Sequence, residues 1–449
     1  MHPCVEVLAT QDDTYGQPEL ARPALQPDFA DMSSSGTSAY GKGSNSVQMR
    51  QYNERVVLDA IRRMGQASKA DVARYANLTP PAVAAIFEAL EAAGYIALKG
   101  KRFGKKGQPS SLYGLDPDGG FSIGLHVGRR TLDAVLIEFT GAVRTSESLE
   151  YDYPEPEAVR RAGGGMIARI RRDLGELGPR LIGMGISAPY FLGGWEQELG
   201  FPPEVSARWR EVDLTDFFSE AKGLPLFVEN DASAAAAAEL VFGAGTRYRD
   251  FVHLSIHTMI GGGLIIDGVL QTGPNGNAAA YGPMPVTPSK LSSIKPPTGP
   301  FEMLLRRASI YGLMNHLRTN GIPINRVRDL DPMPSKARKY FAEWQDDCVD
   351  ALAQAIVTTI AVVDVEAIVI DGLLPRALLQ DTVSKIQRRF AELVPMGLVA
   401  PEIISGTTGP QGSAIGAGIL PIYSMFAPDS AILTKKAIEK KPLMIRSIG

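Results

Sequence analysis

Apolar positions between residues 50 and 118 follow a helical period before switching to a strand pattern. Val56, Val57, Ala60 and Ile61 share one face and are followed by Gly65, a residue suited to ending a helix. Ser68 stands three residues ahead of Asp71, at the head of Ala70-Asp71-Val72-Ala73-Arg74-Tyr75-Ala76, which is the spacing of a capping box. A break at Asn77-Leu78 leads to Thr79 as the next N-cap, with Pro80 at the first helical position. Val83, Ile86, Phe87 and Leu90 then recur at helical spacing up to Gly94. Tyr95-Ile96-Ala97-Leu98 and Leu112-Tyr113-Gly114-Leu115 read as two short strands. Three helices and a hairpin predict a winged helix-turn-helix over residues 50–118.

Beyond residue 119 strands and helices alternate, the signature of an α/β body. Strands are expected at 121–128, 132–138, 181–188 and 226–229, with a helix over 155–177. Asn230-Asp231 is expected to cap an alanine-rich helix over 232–241. Strands at 251–256 and 264–266 are expected to be linked through Gly261-Gly262-Gly263. Helical stretches near 301–319 and 336–364 precede a buried strand, Ala367–Ile370, and Gly412-Ser413-Ala414-Ile415-Gly416-Ala417-Gly418 opens the last helix of a body ending near 428. Residues 1–49, without periodicity and with Ser33-Ser34-Ser35-Gly36, read as a disordered acidic tail, and 429–449 as a C-terminal tail.

Composition refines this picture in one respect. The 449 residues are 45% hydrophobic and 21% charged with a net charge of −3, ordinary for a globular protein, so any nucleic-acid surface must be local. Charge is indeed uneven: 1–49 holds two basic and six acidic residues, whereas 50–118 holds eleven basic and seven acidic. Lys99, Lys101, Arg102, Lys105 and Lys106 are interleaved with Gly100, Gly104 and Gly107, an arrangement that fits a groove lined with phosphates. Double-stranded DNA is therefore the expected partner, contacted by this wing and by Ser68, Lys69, Thr79, Pro80 and Ala82. The expected recognition helix presents Pro80, Pro81, Ala82, Ala84 and Ala85 where base reading usually employs Arg, Asn or Gln. Affinity is then expected mainly from the wing and the backbone, and specificity partly from groove shape. The chain has no run of about 18 apolar residues and no basic stretch followed by an apolar core at its start. Its two cysteines, Cys4 and Cys348, make no disulfide framework. A cytoplasmic protein with no membrane partner, no cofactor and no bound metal is expected.

Several segments of the body, each weak singly, stand in one order: Gly185-Ile186-Ser187-Ala188-Pro189, Val228-Glu229-Asn230-Asp231-Ala232, Ile260-Gly261-Gly262-Gly263-Leu264-Ile265-Ile266-Asp267-Gly268, Gly273-Pro274-Asn275-Gly276-Asn277-Ala278-Ala279, and the closing glycine-alanine helix. With the wing ending at Leu115-Asp116-Pro117, residues 50–425 resemble the ROK family (repressors, open reading frames, kinases). The likeness is to its winged-helix regulators of the xylose and N-acetylglucosamine type. The resemblance implies a body of two ribonuclease-H-like lobes of the actin and hexokinase type, a sugar in the cleft between them, a homodimer or higher homo-oligomer, and control of carbohydrate genes, as a repressor. It also implies that Asp231 occupies the position of the family's catalytic base.

The motifs of catalysis are altered. Where family kinases carry Asp-x-Gly-Gly-Thr for ATP phosphates, this chain reads His126-Val127-Gly128-Arg129-Arg130, without the carboxylate. The second phosphate loop, Gly-Thr-Gly-Ile-Gly-Gly-Gly in the family, is His257-Thr258-Met259-Ile260-Gly261-Gly262-Gly263. Phosphoryl transfer relies on positioning and charge neutralisation, so a non-enzymatic body is expected. The sugar- and zinc-binding Gly-Glu-x-Gly-His segment is replaced by Ala279-Ala280-Tyr281-Gly282-Pro283, and the cysteine cluster is missing, which removes the ligands of a tetrahedral zinc. Ser187, Asn230, Asp231, Asn275, Gly276 and Tyr281 remain as candidate contacts to a sugar or sugar derivative, Tyr281 as a stacking surface. The competing readings are an ATP-dependent sugar kinase with a DNA-binding extension and a regulator that answers to another protein and keeps only a vestigial sugar pocket.

Overall fold

The computed structural model describes residues 46–103, 109–194, 199–324 and 326–428. The expected tails, apart from Ser46–Met49, lie outside these residues, as do Lys105 and Lys106.

Helices α1 (Ser46–Met64), α2 (Lys69–Ala76) and α3 (Pro80–Ala92) precede a hairpin of β1 (Ile96–Arg102) and β2 (Ser110–Leu115). The local signals explain the boundaries. Helix α1, which begins four residues before the expected boundary, gives way to Gly65 at φ 68°, and the capping box closes between Ser68 and Asp71. Asn77 ends α2 in the left-handed region, which a short polar side chain tolerates. Val57, Ile61, Val72, Val83 and Phe87 are fully buried between the three helices. In β1 the register slips between Leu98 and Gly100, so Lys99 is the extra residue of a bulge.

Two lobes follow, and each repeats one topology. In the first, β3 (Phe121–Val127), β4 (Thr131–Glu138) and β5 (Val143–Glu150) form an antiparallel meander, and α4 (Pro156–Asp173) leads to β6 (Leu181–Ala188). After α5 (Pro203–Trp209), β7 (Leu226–Asn230) pairs parallel to β6, giving the order β5-β4-β3-β6-β7. Helix α6 (Asp231–Phe242) then crosses to the second lobe. There β8 (Phe251–Ile256), β9 (Ile260–Ile266) and β10 (Val269–Gln271) form the meander, and helices α7 (Ile310–Thr319) and α8 (Arg338–Ile360) cover one face. Parallel strands β11 (Ala367–Gly372) and β12 (Glu402–Ser405), joined through α9 (Arg376–Leu393), complete the order β10-β9-β8-β11-β12. Helix α10 (Gly412–Phe426) crosses back to the first sheet.

The two crossing helices explain the glycine and alanine pattern. A Cβ on Gly124 or Gly185 would sit about 2.0 or 1.9 Å from carbonyl oxygens of α10, and one on Gly263 would sit 2.3 Å from Ala236 Cβ of α6. Gly416 meets Ala234 in the same way where the helices pack on each other. Gly261, Gly262 and Gly263 are therefore strand residues of β9 and not the expected link, because bare backbone lets α6 lie flat on the sheet. The expected helix near 301–319 is also divided, into a two-residue ladder (Glu302-Met303), one turn (Leu304–Arg307) and α7.

Only a five-residue connection separates β2 from β3, and one apolar cluster runs from the N-terminal helices into the body. It joins Val57, Ile61 and Phe87 to Val135, Ile137, Val241, Ala414 and Ile422. Tyr95, Phe139 and Phe426 form an aromatic junction with centroids 4.9–5.3 Å apart.

Candidate functional site

Both lobes contribute to the cleft at the ends of their central strands. The end of β3 brings His126, and the β3–β4 turn brings Arg129 and Arg130. His126 Nδ1 lies 3.3 Å from Ser187 Oγ at the end of β6, and its ring meets that of His257, just after β8, edge to face at 6.5 Å. Burial and the neighbouring His126 pull the His257 pKa down to about 4, so this ring is neutral at neutral pH. At the head of α6, Asn230 Oδ1 accepts the amides of Ala232 and Ser233, and Asp231 Oδ1 accepts that of Ala232. The amide cap is thus Asn230's, as helix termini require.

The two arginines of the turn behave differently. Arg130 donates to Leu199 O at 3.2 Å and stacks 5.5 Å from the Phe201 ring. Arg129 has a solvent-inaccessible Nε with no hydrogen-bond partner. Burial lowers its pKa, and Asp231 is the charge that opposes this. Across the mouth of the cleft Tyr190 Oη donates to Asn275 O at 3.0 Å, and Glu150 of β5 pairs with Arg326 and Arg328 of the second lobe at 2.8 and 3.2 Å.

Several expected contacts are corrected by this geometry. Tyr281 is 5% exposed, its ring lies under Gly262, and its hydroxyl is 2.9 Å from Thr359 Oγ1, so it is a core residue and offers no stacking face. Ser187 is fully buried and donates to Ser413 O at 2.9 Å, which pins β6 to α10. Asn275 is exposed and meets the first lobe through its backbone, while Gly276 holds φ 67° in the turn beside it. Asn230 and Asp231 remain half-buried at the cleft. Arg129 was missed as a contact, because a sequence shows a bulky cation replacing glycine but not that the cation stays unpaired.

The carboxylate that the resemblance leads one to expect for magnesium is absent from residues 126–130, and residues 279–300 hold no His or Cys for zinc. A Cβ at Gly128 would collide with the His126 ring at 2.6 Å, so that imidazole fills space beside the turn. Where the family's zinc segment would be, Arg307 ties the chain instead. Its Nε and Nη2 reach Asp347 Oδ2 and Oδ1 at 3.1 and 2.9 Å, Nη2 also reaches Asp350 at 3.2 Å, and Nη1 reaches Thr287 O and Oγ1 at 2.9 and 3.0 Å. Ser289 adds a bond to Asp347 at 2.9 Å. No group of three or more His, Cys, Asp or Glu capable of holding a metal occurs among the described residues.

In the N-terminal region, Lys99 and Lys101 are exposed, and Thr79 is exposed with its hydroxyl outside the cap. Pro80 is exposed, Ala82 is half-buried, and Lys69 Nζ lies 5.9 Å from the Phe87 ring centroid. Ser68 is not available to DNA: it is 3% exposed and its hydroxyl donates to Asp71 at 2.7 Å. Arg102 is engaged as well, in an ion pair with Asp71 at 2.8 Å.

Residues 122–422 match the sequence profile of the ROK family. The chain belongs to that family. A protein of Sinorhizobium fredii called uncharacterized protein y4fQ is 28% identical over 83% of this chain and 91% of its own length. The xylose repressor of Bacillus spizizenii is 26% identical over 53% of this chain and 61% of the repressor, so the match spans about three-fifths of that relative. Among solved structures, a ROK family transcriptional regulator described as a homologue of the Escherichia coli MLC protein superposes with a TM-score of 0.61 at 19% identity, covering 87% of this chain and all of that one. A ROK family glucokinase from Streptomyces griseus, solved with glucose and AMPPNP, gives 0.52 at 22% identity over 67% of this chain. The fold is thus the two-lobed, hexokinase-type ROK body, preceded by an N-terminal helical region. No helix among the described residues is long and apolar enough to cross a membrane.

Proposed function

We propose that this ROK protein is a cytoplasmic DNA-binding transcriptional regulator, a repressor of carbohydrate-related genes, whose body senses a small polyhydroxylated ligand without transferring a phosphoryl group. The observation that carries the reading is the course of the two crossing helices. Helix α6 begins at Asp231 in the cleft, and its last turn accepts a bond from Arg62 of α1 through Val241 O. Helix α10 begins beside Ser187, and Arg55 of α1 reaches Ser424 O near its end at 3.2 Å. A ligand that favours one lobe arrangement would move both helices and, with them, the winged helix; the shift can be no larger than its differential affinity for the two states. In a homodimer such a movement alters the separation of two winged helices and hence the fit to an operator of two half-sites.

DNA would be held by Lys99, Lys101, Arg102, Lys105 and Lys106 of the wing, with Lys69, Thr79, Pro80 and Ala82 at the recognition helix. The reading is tested with the full chain on duplexes enriched from a random pool. Neutralising Lys101, Arg102, Lys105 and Lys106 together is expected to abolish retention, and affinity for the unmodified chain is expected to fall steeply with salt. Retention that survives neutralisation rejects the DNA-binding mode. A kinase reading is supported by Asp231 at the base position and by glucokinase relatives, among them one of Streptomyces coelicolor 29% identical over 38% of this chain. Asp231-dependent release of ADP over a sugar panel would establish that reading instead.

A further inference from the structure

The β3–β4 turn holds a cation with nothing to hold on to. Arg129 reaches into the cleft with a buried, unpartnered Nε, and no ion pair or hydrogen bond joins it to any described residue. Elsewhere the protein partners its buried guanidinium fully, at Arg307 with Asp347, Asp350 and Thr287. A half-buried guanidinium with one nitrogen shut off from both water and acceptor is costly to keep, so its counter-ion is to be sought outside the chain.

Around Arg129 the groups are suited to hydroxyls. Asp231, whose charge acts on Arg129, uses only Oδ1 in a backbone bond. Asn230 uses only its side-chain carbonyl, leaving the amide donors free. His126 and His257 present two imidazoles from opposite lobes. The charge balance selects the ligand further. The neighbouring Arg130 is occupied by Leu199 O and the Phe201 ring, so Arg129 is the cation of this turn left without a partner among the described residues, while Asp231, Asp371 and Asp133 all act on the nearby His257. A dianion would be undercompensated by Arg129 and repelled by Asp231, whereas a planar monoanion can take two parallel bonds from one guanidinium edge.

We propose that the cleft ligand is a sugar acid, an aldonate or uronate, whose carboxylate pairs with Arg129 and whose hydroxyls are held by Asp231 and the Asn230 amide. This rests on the sensing role proposed above and names the chemical class sensed. It also makes the cation that departs from the family's phosphate turn the recognition element.

Isothermal titration and melting of the full chain test it with D-gluconate, D-glucuronate and D-galacturonate, the neutral D-glucose and D-galactose, D-glucose 6-phosphate, and acetate as a bare carboxylate. At least one sugar acid is expected to bind and raise the melting temperature. Its affinity should fall with salt and drop by at least tenfold in Arg129→Gln, while Arg129→Lys, which keeps charge but not the planar fork, should lie between. Circular dichroism and the melting temperature without ligand verify that each variant is folded. Tight binding of a neutral sugar that is unchanged in Arg129→Gln, preference for the phosphate ester, a response to acetate equal to that of the sugar acids, or no response to any sugar acid each overturns the proposal. Retention on DNA, measured on the same preparations, separates the two readings. Release of DNA by a neutral sugar leaves the regulator standing and removes the sugar acid. Arg129-dependent binding of a sugar acid by a chain that never retains DNA does the reverse.

Discussion

Arg129 and Arg307 both stand where the resemblance leads one to expect other chemistry, the first in the phosphate turn and the second beside the lost zinc segment. Arg307 is 2% exposed, and every nitrogen of its guanidinium has an acceptor. Arg129 has a buried nitrogen and no acceptor. The difference separates two ways of replacing a lost site. At Arg307, near the segment where the resemblance implies zinc ligands, an ion-pair network ties Thr287 and Ser289 to α8. At Arg129 the replacement leaves an unmet valence, which adds nothing to the stability of the free protein and is useful only to something that enters.

The largest expected effect is therefore at Arg307. Arg307→Met leaves Asp347 buried without its partner and is expected to lower stability by about 3–5 kcal/mol, read as a lower denaturant midpoint. Adding Asp347→Leu should restore much of the loss, because an apolar pair of similar volume can replace a buried ion pair. Equal damage from the single and double variants would mean that the network does not act as a unit. Arg129→Met breaks the comparison from the other side: without ligand, its midpoint is expected to be unchanged or raised, by up to about 2 kcal/mol. A loss comparable with that of Arg307→Met would make Arg129 a structural residue.

How much of this contrast was legible in the sequence depends on the distance over which each feature is decided. Capping at Ser68-Asp71 and the stop at Gly65 involve neighbours within four residues, and both were readable. Strand and helix alternation gave the α/β body, and the loss of both phosphate loops was visible in His126–Arg130 and His257–Met259. Three glycines in a row resembled a link because their real reason, the passage of Ala232 and Ala236 across β9, belongs to residues 27 or more positions earlier. Tyr281 resembled a ligand platform because its partner Thr359 lies 78 positions on. The Arg307 network was invisible for the same reason, Arg307 and Asp347 being 40 residues apart. Whether a cation is paired is decided only by packing.

Two buried titrating groups beside the cleft sharpen the contrast with opposite signs. Burial lowers His257 from about 6.5 to about 4, so its contribution is complete above pH 6.5 and is lost as pH falls towards 4, the unfolded chain taking up the proton first. Burial raises Glu229 from about 4.5 to about 7, only partly opposed by the bond from the Asn230 amide. Its contribution is complete below pH 4.5 and is lost as pH rises through 7, because the unfolded carboxyl ionises more readily. Glu229→Gln is expected to gain about 2 kcal/mol at pH 8 relative to pH 4.5, and His257→Asn to flatten the acid limb. Melting each variant across pH 4.5–8 checks both, and limbs that move in the same direction would contradict the assignment.

The smallest effect on stability is expected at Arg102, where the distinction between a settled and a waiting cation reaches the wing. Its partner Asp71 is held at a pKa of about 2, first by the Ser68 hydroxyl bond and with help from Arg102. Asp71 also keeps Arg74 at 2.6 Å, so it would not be stranded if Arg102 left. The Arg102 side chain is 54% exposed, and an ion pair so open to water and salt contributes roughly 0–1 kcal/mol. Arg102 can therefore leave Asp71 for a phosphate at little cost. Arg102→Gln is expected to leave the melting temperature nearly unchanged while lowering the slope of log affinity for DNA against log salt by about 1, the loss of one phosphate contact. An unchanged slope with a clearly lowered melting temperature would make Arg102 a second Arg307, a residue that holds the wing to α2, and would leave Lys99 and Lys101 as the described wing cations that face DNA.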